Sequence, residues 1–228
     1  MGICVVKNES PSSFVLYPVF LDLRNITALL VGGGEVAHRK AADLLQCGCL
    51  LTVVSPKLIP AFEEFLSLEN FRWEARVYEN GEARNYGMVL SATDEPEVNQ
   101  RVYHDAKSCG CLVNVVDRPD LCTFFVPSVA RRNSLQIAIS TGGKCPALAR
   151  HLRMQLDEII PEQYGALVEK LEIIRGYIKE KIVSQKERRT FITRIVSSSA
   201  SQEFLRGNEA LLDAILKGWK HARSRSTG

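Results

Sequence analysis

The feature that most constrains the fold is an apolar run, Ile26 to Val31, that ends in three glycines, Gly32-Gly33-Gly34, and opens a helical stretch from Glu35 to Gln46. The segment Val31-Gly32-Gly33-Gly34-Glu35-Val36-Ala37 fits G-x-G-x-x-A. Each small residue has a mechanical reason. Gly32 allows the tight turn, Gly34 lets backbone approach a pyrophosphate, and Ala37 lets the helix pack close to the sheet. The helix N-terminus then offers free N–H groups and a positive dipole end to the anion. The fingerprint alone is weak, but its strand–turn–helix context predicts dinucleotide binding through Gly32, Gly33, Gly34, Glu35 and Val36. The alternative is a glycine turn in some other α/β fold.

The remaining pattern extends that unit. Leu50 to Val54, Phe71 to Val77, Met88 to Ala92 and Leu112 to Val116 read as buried strands. A helix is expected over Pro56–Leu68, with Ser55 as N-cap and Pro56 at the first helical position. Another is expected from Pro96 to Ser108, capped by Thr93 or Asp94 and stopped at Gly110, as Gly48 stops the first helix. Strands alternating with helices predict a parallel α/β sheet buried on both faces. Thr123–Val126 and Leu135–Ser140 read as two further strands across a polar connection with Arg131, Arg132 and Asn133, paired as a hairpin or crossing between subunits. Helices are expected over Pro146–Ile160, Glu162–Val183, Lys186–Val196 and Gln202–His221, with a polar break at Ser197–Ser201 and a frayed tail from Ser224 to Gly228. Leu167, Leu171, Ile174 and Ile178 show the helical spacing. The predicted architecture is a Rossmann-type domain (1–117), a β-rich linker or dimerisation region (118–145) and a helical C-terminal domain (146–228).

Composition narrows the function classes. With 46% hydrophobic and 24% charged residues the chain can bury a core. A net charge of +3 makes no demand for nucleic acid. No apolar run approaches the roughly 18 residues of a membrane span, and Met1 to Pro11 lacks a secretory layout. Seven cysteines (Cys4, Cys47, Cys49, Cys109, Cys111, Cys122, Cys145) with no export signal read as reduced cytoplasmic thiols. The Cys47/Cys49 and Cys109/Cys111 pairs read as buried small residues rather than soft-metal ligands. His38, His104, His151 and His221 are scattered and match no fixed metal site.

The acid that usually holds the NAD ribose at the end of the second strand is missing; Ser55, Pro56 and Lys57 stand there. Lys57 suits either a 2′-phosphate or plain solvent, so NAD and NADP both stay open on chemistry. Thr93 and Asp94 follow the fourth strand, where ligand-facing loops lie. Asp94 is equally a natural helix cap.

Five segments in register then carry a resemblance: Tyr17-Pro18-Val19-Phe20-Leu21-Asp22-Leu23, Val31 to Lys40, Ala92-Thr93-Asp94 with Val98-Asn99-Gln100-Arg101, Asn114-Val115-Val116-Asp117, and Ser140 to Arg150. Together they resemble the precorrin-2 dehydrogenase / sirohydrochlorin ferrochelatase family, which includes the N-terminal module of sirohaem synthases. The resemblance covers residues 14 to 160 well and the helical tail loosely. It implies that NAD takes a hydride from precorrin-2 to give sirohydrochlorin, and that in some members ferrous iron is then inserted to make sirohaem. It also implies a homodimer, acting on a tetrapyrrole with no membrane or nucleic-acid partner. Sirohaem synthases carry a methyltransferase module after this one, and the expectation is that it is absent here.

The resemblance places the catalytic aspartate at Asp117, a carboxylate able to act as base and to take pyrrole protons during transient metal handling. Without it, Asp117 reads as a turn residue before Arg118-Pro119. Asn114 either orders the strand end or touches substrate. Gly142 and Gly143 permit close backbone approach, and Thr141 and Lys144 are candidates for substrate carboxylates. Thr141 and Cys145 stand where the family often has serines. Arg118, Arg131, Arg132, Arg150 and Arg153 are further carboxylate anchors, or ordinary solvated charge. Competing readings are a dehydrogenase without chelatase activity, a regulatory module that binds NAD or tetrapyrrole without turnover, and a general NADP reductase. The last leaves Asn114–Asp117 and Ser140–Arg150 unexplained.

Overall fold

The five apolar runs form five strands, β1 (Thr27–Val31), β2 (Leu50–Val54), β3 (Phe71–Glu74), β4 (Met88–Ser91) and β5 (Leu112–Val115). They pair in parallel in the order β3-β2-β1-β4-β5. The computed structural model describes residues 15–224, with side chains as far as 218. Cys4, the Met1–Pro11 segment and the tail at 225–228 lie outside the described residues, as does the side chain of His221. Successive strand residues point to opposite faces. Leu30, Leu51, Val53 and Leu90 pack with Ala37, Ala41 and Leu44 of α1 (Glu35–Gln46). Leu29, Val54, Val89 and Val113 pack with Val102 and Ala106 of α2 (Pro96–Ser108). Both helices end alike: Cys47 and Cys109 at the C-cap, then Gly48 at φ 79° and Gly110 at φ 73°, then the buried Cys49 and Cys111. The first thiol of each pair is exposed.

The outer edge of β5 is met by side chains. The Thr123 hydroxyl accepts from Val113 N–H at 2.9 Å, and Thr123 N–H donates to the Val113 carbonyl at 2.8 Å. Val115 N–H reaches the Cys122 sulfur at 3.3 Å. These bonds satisfy backbone groups that an edge strand would otherwise leave open.

The chain divides into two units, Met1–Val126 and Pro127–Gly228. In the second, β6 (Ser128–Arg132) and β7 (Leu135–Ile139) form an antiparallel hairpin within one chain, with Asn133 at φ 48° in the turn. Five helices follow: α3 (Pro146–Ile159), α4 (Gln163–Lys181), α5 (Gln185–Val196), α6 (Ser199–Leu205) and α7 (Ala210–Ser224). Leu167, Ile174, Ile178, Ile195, Phe204 and Leu212 form their core, with Leu171 packed against it. Among the described residues no helix is long and apolar enough to cross a membrane.

Four local expectations are corrected. Residues 56–68 hold only a 3₁₀ turn, Pro60–Phe65, because the Ser55 hydroxyl turns back to the Lys57 carbonyl instead of capping a helix. The N-cap of α2 is Glu95, and the Thr93 hydroxyl accepts from its amide. Thr123–Val126 forms no strand; the ladder strand starts at Ser128, and Arg131 and Arg132 lie inside it. The helix expected over Gln202–His221 is two helices, divided at Gly207 with φ 91°, and α6 begins inside the expected polar break.

Candidate functional site

The strand order reverses direction between β1 and β4, and ligands of open α/β sheets bind at the carboxyl ends of the strands beside such a switch point. The loops after β1 and β4 flank it. Gly32 sits at φ 126°, its amide donating to the Val54 carbonyl at 3.0 Å. A Cβ on Gly32 would fall on the backbone carbonyl of Ala92, and one on Gly33 on the carbonyl of Lys57. The loops after β4 and β2 therefore press directly on the glycine turn. The Gly33 carbonyl in turn accepts from Ile59 N–H at 2.9 Å.

Gly34 differs. It has an ordinary φ of −90°, caps α1 without any side-chain bond, and a Cβ there would meet no described residue within 4 Å. Open space thus lies against an uncapped helix N-terminus whose first N–H groups have no intrahelical acceptor. That arrangement fits an anionic pyrophosphate. Glu35 is exposed and Val36 half-buried at the same helix start.

Beyond β2, Ser55 is buried, and its hydroxyl donates to the Lys57 carbonyl at 2.7 Å while its carbonyl accepts from the Trp73 indole at 3.0 Å. Its polar atoms are thus engaged within the chain. Pro56 and Lys57 are exposed beside it. Beyond β4, Ala92 N–H donates to the Val31 carbonyl at 2.8 Å, Thr93 is half-buried and Asp94 is exposed.

At the end of β5, Asn114 is buried and donates to the Phe124 carbonyl at 2.9 Å, the strand-ordering arrangement. Asp117 is exposed, in the left-handed region at φ 59°, on the same carboxyl edge as the glycine turn. Arg118 is paired with Asp120 through bonds of 3.0 and 2.8 Å, which hold the Asp120 carboxyl below its ordinary value.

The second glycine loop lies in the other unit. Gly142 and Gly143 adopt φ 62° and 78°. The Thr141 hydroxyl accepts from Cys145 N–H at 3.0 Å, and Ser140 Oγ from Gly142 N–H at 3.1 Å. Lys144, Cys145 and Arg150 are exposed around the start of α3. Two of the expected anchors are engaged inside the unit. Arg132 is largely buried and donates to the carbonyls of Ile160 at 2.6 Å and Asp157 at 2.7 Å, closing the C-terminus of α3. Arg153 pairs with the Asp157 carboxylate. His38 bonds Glu64 at 2.7 Å and stacks on Phe65, a packing role. Among the described residues no three His, Cys, Asp or Glu side chains gather as a metal cluster.

Sequence reasoning missed the two residues that brace these loops. Trp73 holds Ser55, and buried Asn99 joins Ser91 and Thr93. Asn99 lies in the Val98–Arg101 segment that carries the resemblance, but no role is readable for it there; the physical signal is a polar residue on the buried face of α2.

The strand order, the switch point and the glycine turn define a dinucleotide-binding protein of the doubly wound α/β class. Residues 19–128 match the family described as "Putative NAD(P)-binding", and residues 132–158 match the family "Sirohaem biosynthesis protein central". Over these two segments the chain is similar to NAD(P)-binding proteins and to proteins of sirohaem biosynthesis. It is 38% identical over 192 residues to a sirohaem synthase of Methylobacillus flagellatus, covering 84% of this chain and 41% of that protein. It is 41% identical over 194 residues to sirohaem synthase 1 of Aeromonas salmonicida, covering 85% and 42%. The chain thus spans less than half the length of these relatives. The solved structure of SirC, a precorrin-2 dehydrogenase, superposes with a TM-score of 0.76 at 25% identity, covering 90% of this chain and all of that one.

Proposed function

We propose that this chain oxidises precorrin-2 to sirohydrochlorin with NAD, in the cytoplasm and as a homodimer. The observation that carries the reading is the open space at Gly34 against an uncapped helix N-terminus, at the switch point of a sheet that matches the putative NAD(P)-binding family. The nicotinamide cofactor, when bound, accepts the hydride. Gly32, Gly33, Gly34, Glu35 and Val36 hold its pyrophosphate; Ser55, Pro56 and Lys57 border the ribose; Thr93 and Asp94 border the rest. Asp117, exposed and without an ion pair among the described residues, takes the proton that leaves with the hydride. Asn114 orders the strand that presents it. Thr141, Gly142, Gly143, Lys144 and Arg150 receive the substrate's carboxylates, as does Arg118 on exchanging Asp120 for substrate. Leu148, Leu152 and Ile159, exposed along α3, support pairing with a second copy of this chain.

The same Asp117 carboxylate could accept pyrrole protons as ferrous iron enters the product, so iron is a candidate second substrate. The test is anaerobic: protein, precorrin-2 and either NAD or NADP, followed by sirohydrochlorin absorbance, with ferrous iron added last. Product with NAD supports the reading, and product with NADP alone reassigns the cofactor to Lys57 and a 2′-phosphate. Tight dinucleotide binding with no product from either overturns the dehydrogenase and leaves a regulatory binding module. Faster iron uptake than in protein-free solution adds the chelatase.

A further inference from the structure

The loop after β4 is fixed against the glycine turn at its start, where Ala92 N–H donates to the Val31 carbonyl at 2.8 Å. The Thr93 hydroxyl is occupied by Glu95 N–H at 3.3 Å, and Asp94 is exposed. Past its start the loop is held from behind, by Asn99 in the first turns of α2. Asn99 is buried, and its side chain is used at both ends: Nδ2 donates to the Thr93 carbonyl at 3.0 Å, and Oδ1 accepts from Ser91 Oγ at 2.7 Å. Ser91 is fully buried as the last residue of β4. One amide therefore ties the end of the strand to the loop that follows it. Between those two attachment points lies Ala92, whose carbonyl occupies the space that a Cβ on Gly32 would need.

We propose that Asn99 is a positioning residue for the dinucleotide: by holding the Thr93 carbonyl it sets how closely the loop after β4 lies against the glycine turn, and so the affinity for the cofactor. This rests on the dinucleotide-binding reading above. The chemistry favours positioning over simple stability. A buried amide satisfied at both ends specifies one geometry and penalises neighbouring ones. An apolar replacement leaves the buried Ser91 hydroxyl and the Thr93 carbonyl unpaired, so a lower melting temperature is expected beside the effect on the loop. Loss of the amide would release the loop without unfolding the sheet. The two bonds also separate by role: the Thr93 bond acts on the loop, and the Ser91 bond acts within the core.

The experiment uses the full chain and reads NAD and NADH affinity directly by titration without tetrapyrrole, beside the melting temperature. Asn99→Leu, which loses both bonds, should bind NAD about tenfold more weakly and keep a cooperative melt. Ser91→Ala removes the core bond and spares the Thr93 bond. It should lower the melting temperature comparably and leave affinity within about twofold. Should Asn99→Leu fail to fold, Asn99→Asp serves, since it keeps the acceptor for Ser91 and loses the donor to Thr93; the same weakening is expected. If affinity falls equally in Ser91→Ala and the Asn99 variants, or in none of them, the positioning role is overturned. If the wild type binds neither NAD nor NADP, the cofactor reading falls first and this inference with it.

Discussion

The amide of Arg118 donates to the carbonyl of Val115 at 3.2 Å, closing a tight turn with Asp117 at φ 59° on its outside. Aspartate and asparagine tolerate that region better than other side chains. Asp117→Asn should therefore keep the turn and the melting temperature while removing the carboxylate proposed as base. Turnover of precorrin-2 is expected to fall by about 10²- to 10⁴-fold with NAD affinity unchanged. Asp117→Ala should lose turnover equally and some stability as well. Retained turnover in Asp117→Asn would remove Asp117 from the chemistry.

The glycine turn makes two opposite predictions three atoms of backbone apart. At Gly34 an alanine methyl meets no described residue within 4 Å, so Gly34→Ala should fold as the wild type does. Its methyl would stand where a phosphate approaches, and NAD affinity should drop about tenfold or more. At Gly33 the methyl would fall on the Lys57 carbonyl, so Gly33→Ala should cost about 1–3 kcal/mol of stability before any ligand is added. Thermal melts and NADH titration separate the two.

A second pair of glycines, both in α4, checks the helical unit. A Cβ on Gly165 would collide with the backbone carbonyl of Arg132, at the turn where the hairpin meets the helix. Gly165→Ala should destabilise by about 1–3 kcal/mol. Gly176 has nothing within 4 Å, and Gly176→Ala should stabilise by about 0.5–1 kcal/mol through the unfolded chain and helix propensity. Denaturant midpoints measure both.

Burial pushes the thiols of Cys49 and Cys111 up to about 11, from an ordinary value of 9.0. In that range the folded chain keeps protons that the unfolded chain has lost. Their stabilisation is thus fully present below about pH 9 and is lost as pH rises towards 11. The melting temperature should decline over that window, and less steeply in the Cys49→Ala/Cys111→Ala double variant. At pH 8 a thiol reagent should modify Cys47 and Cys109, which are exposed, well before their buried neighbours. Equal labelling of all four would contradict the burial.

The sheet and the two long helices that flank it were legible because their signals are local. The Val31–Ala37 turn, the apolar runs and the glycines at 48 and 110 give α1 and α2 their observed limits. Where the sequence misled, a distant partner decided. Ser55 has the look of a helix cap, but its hydroxyl bonds Lys57 and its carbonyl takes the Trp73 indole. Thr123 reads as a strand residue, yet it pairs with Val113 through its hydroxyl as well as its amide. Arg132 resembles a free anion anchor until α3 ends beside it and leaves carbonyls to be met. Gly207, by contrast, carried a helix-stop signal that the apolar spacing on either side obscured. In the candidate site, the glycine turn and Asp117 were readable from motifs; Asn99 stood in a segment that carries the resemblance, but its bonds to Ser91 and Thr93 depend on the folded loop and were not readable.

The side chains of Thr123 and Cys122 along β5 also decide in which direction this sheet can grow. A strand offered by another molecule finds the donors and acceptors of Val113 and Val115 already taken. The opposite border, β3 from Phe71 to Glu74, is the one place among the described residues where the five-stranded sheet could be extended. An engineered fusion that adds a strand should therefore be joined there, and a hairpin grafted after β5 should fail to register.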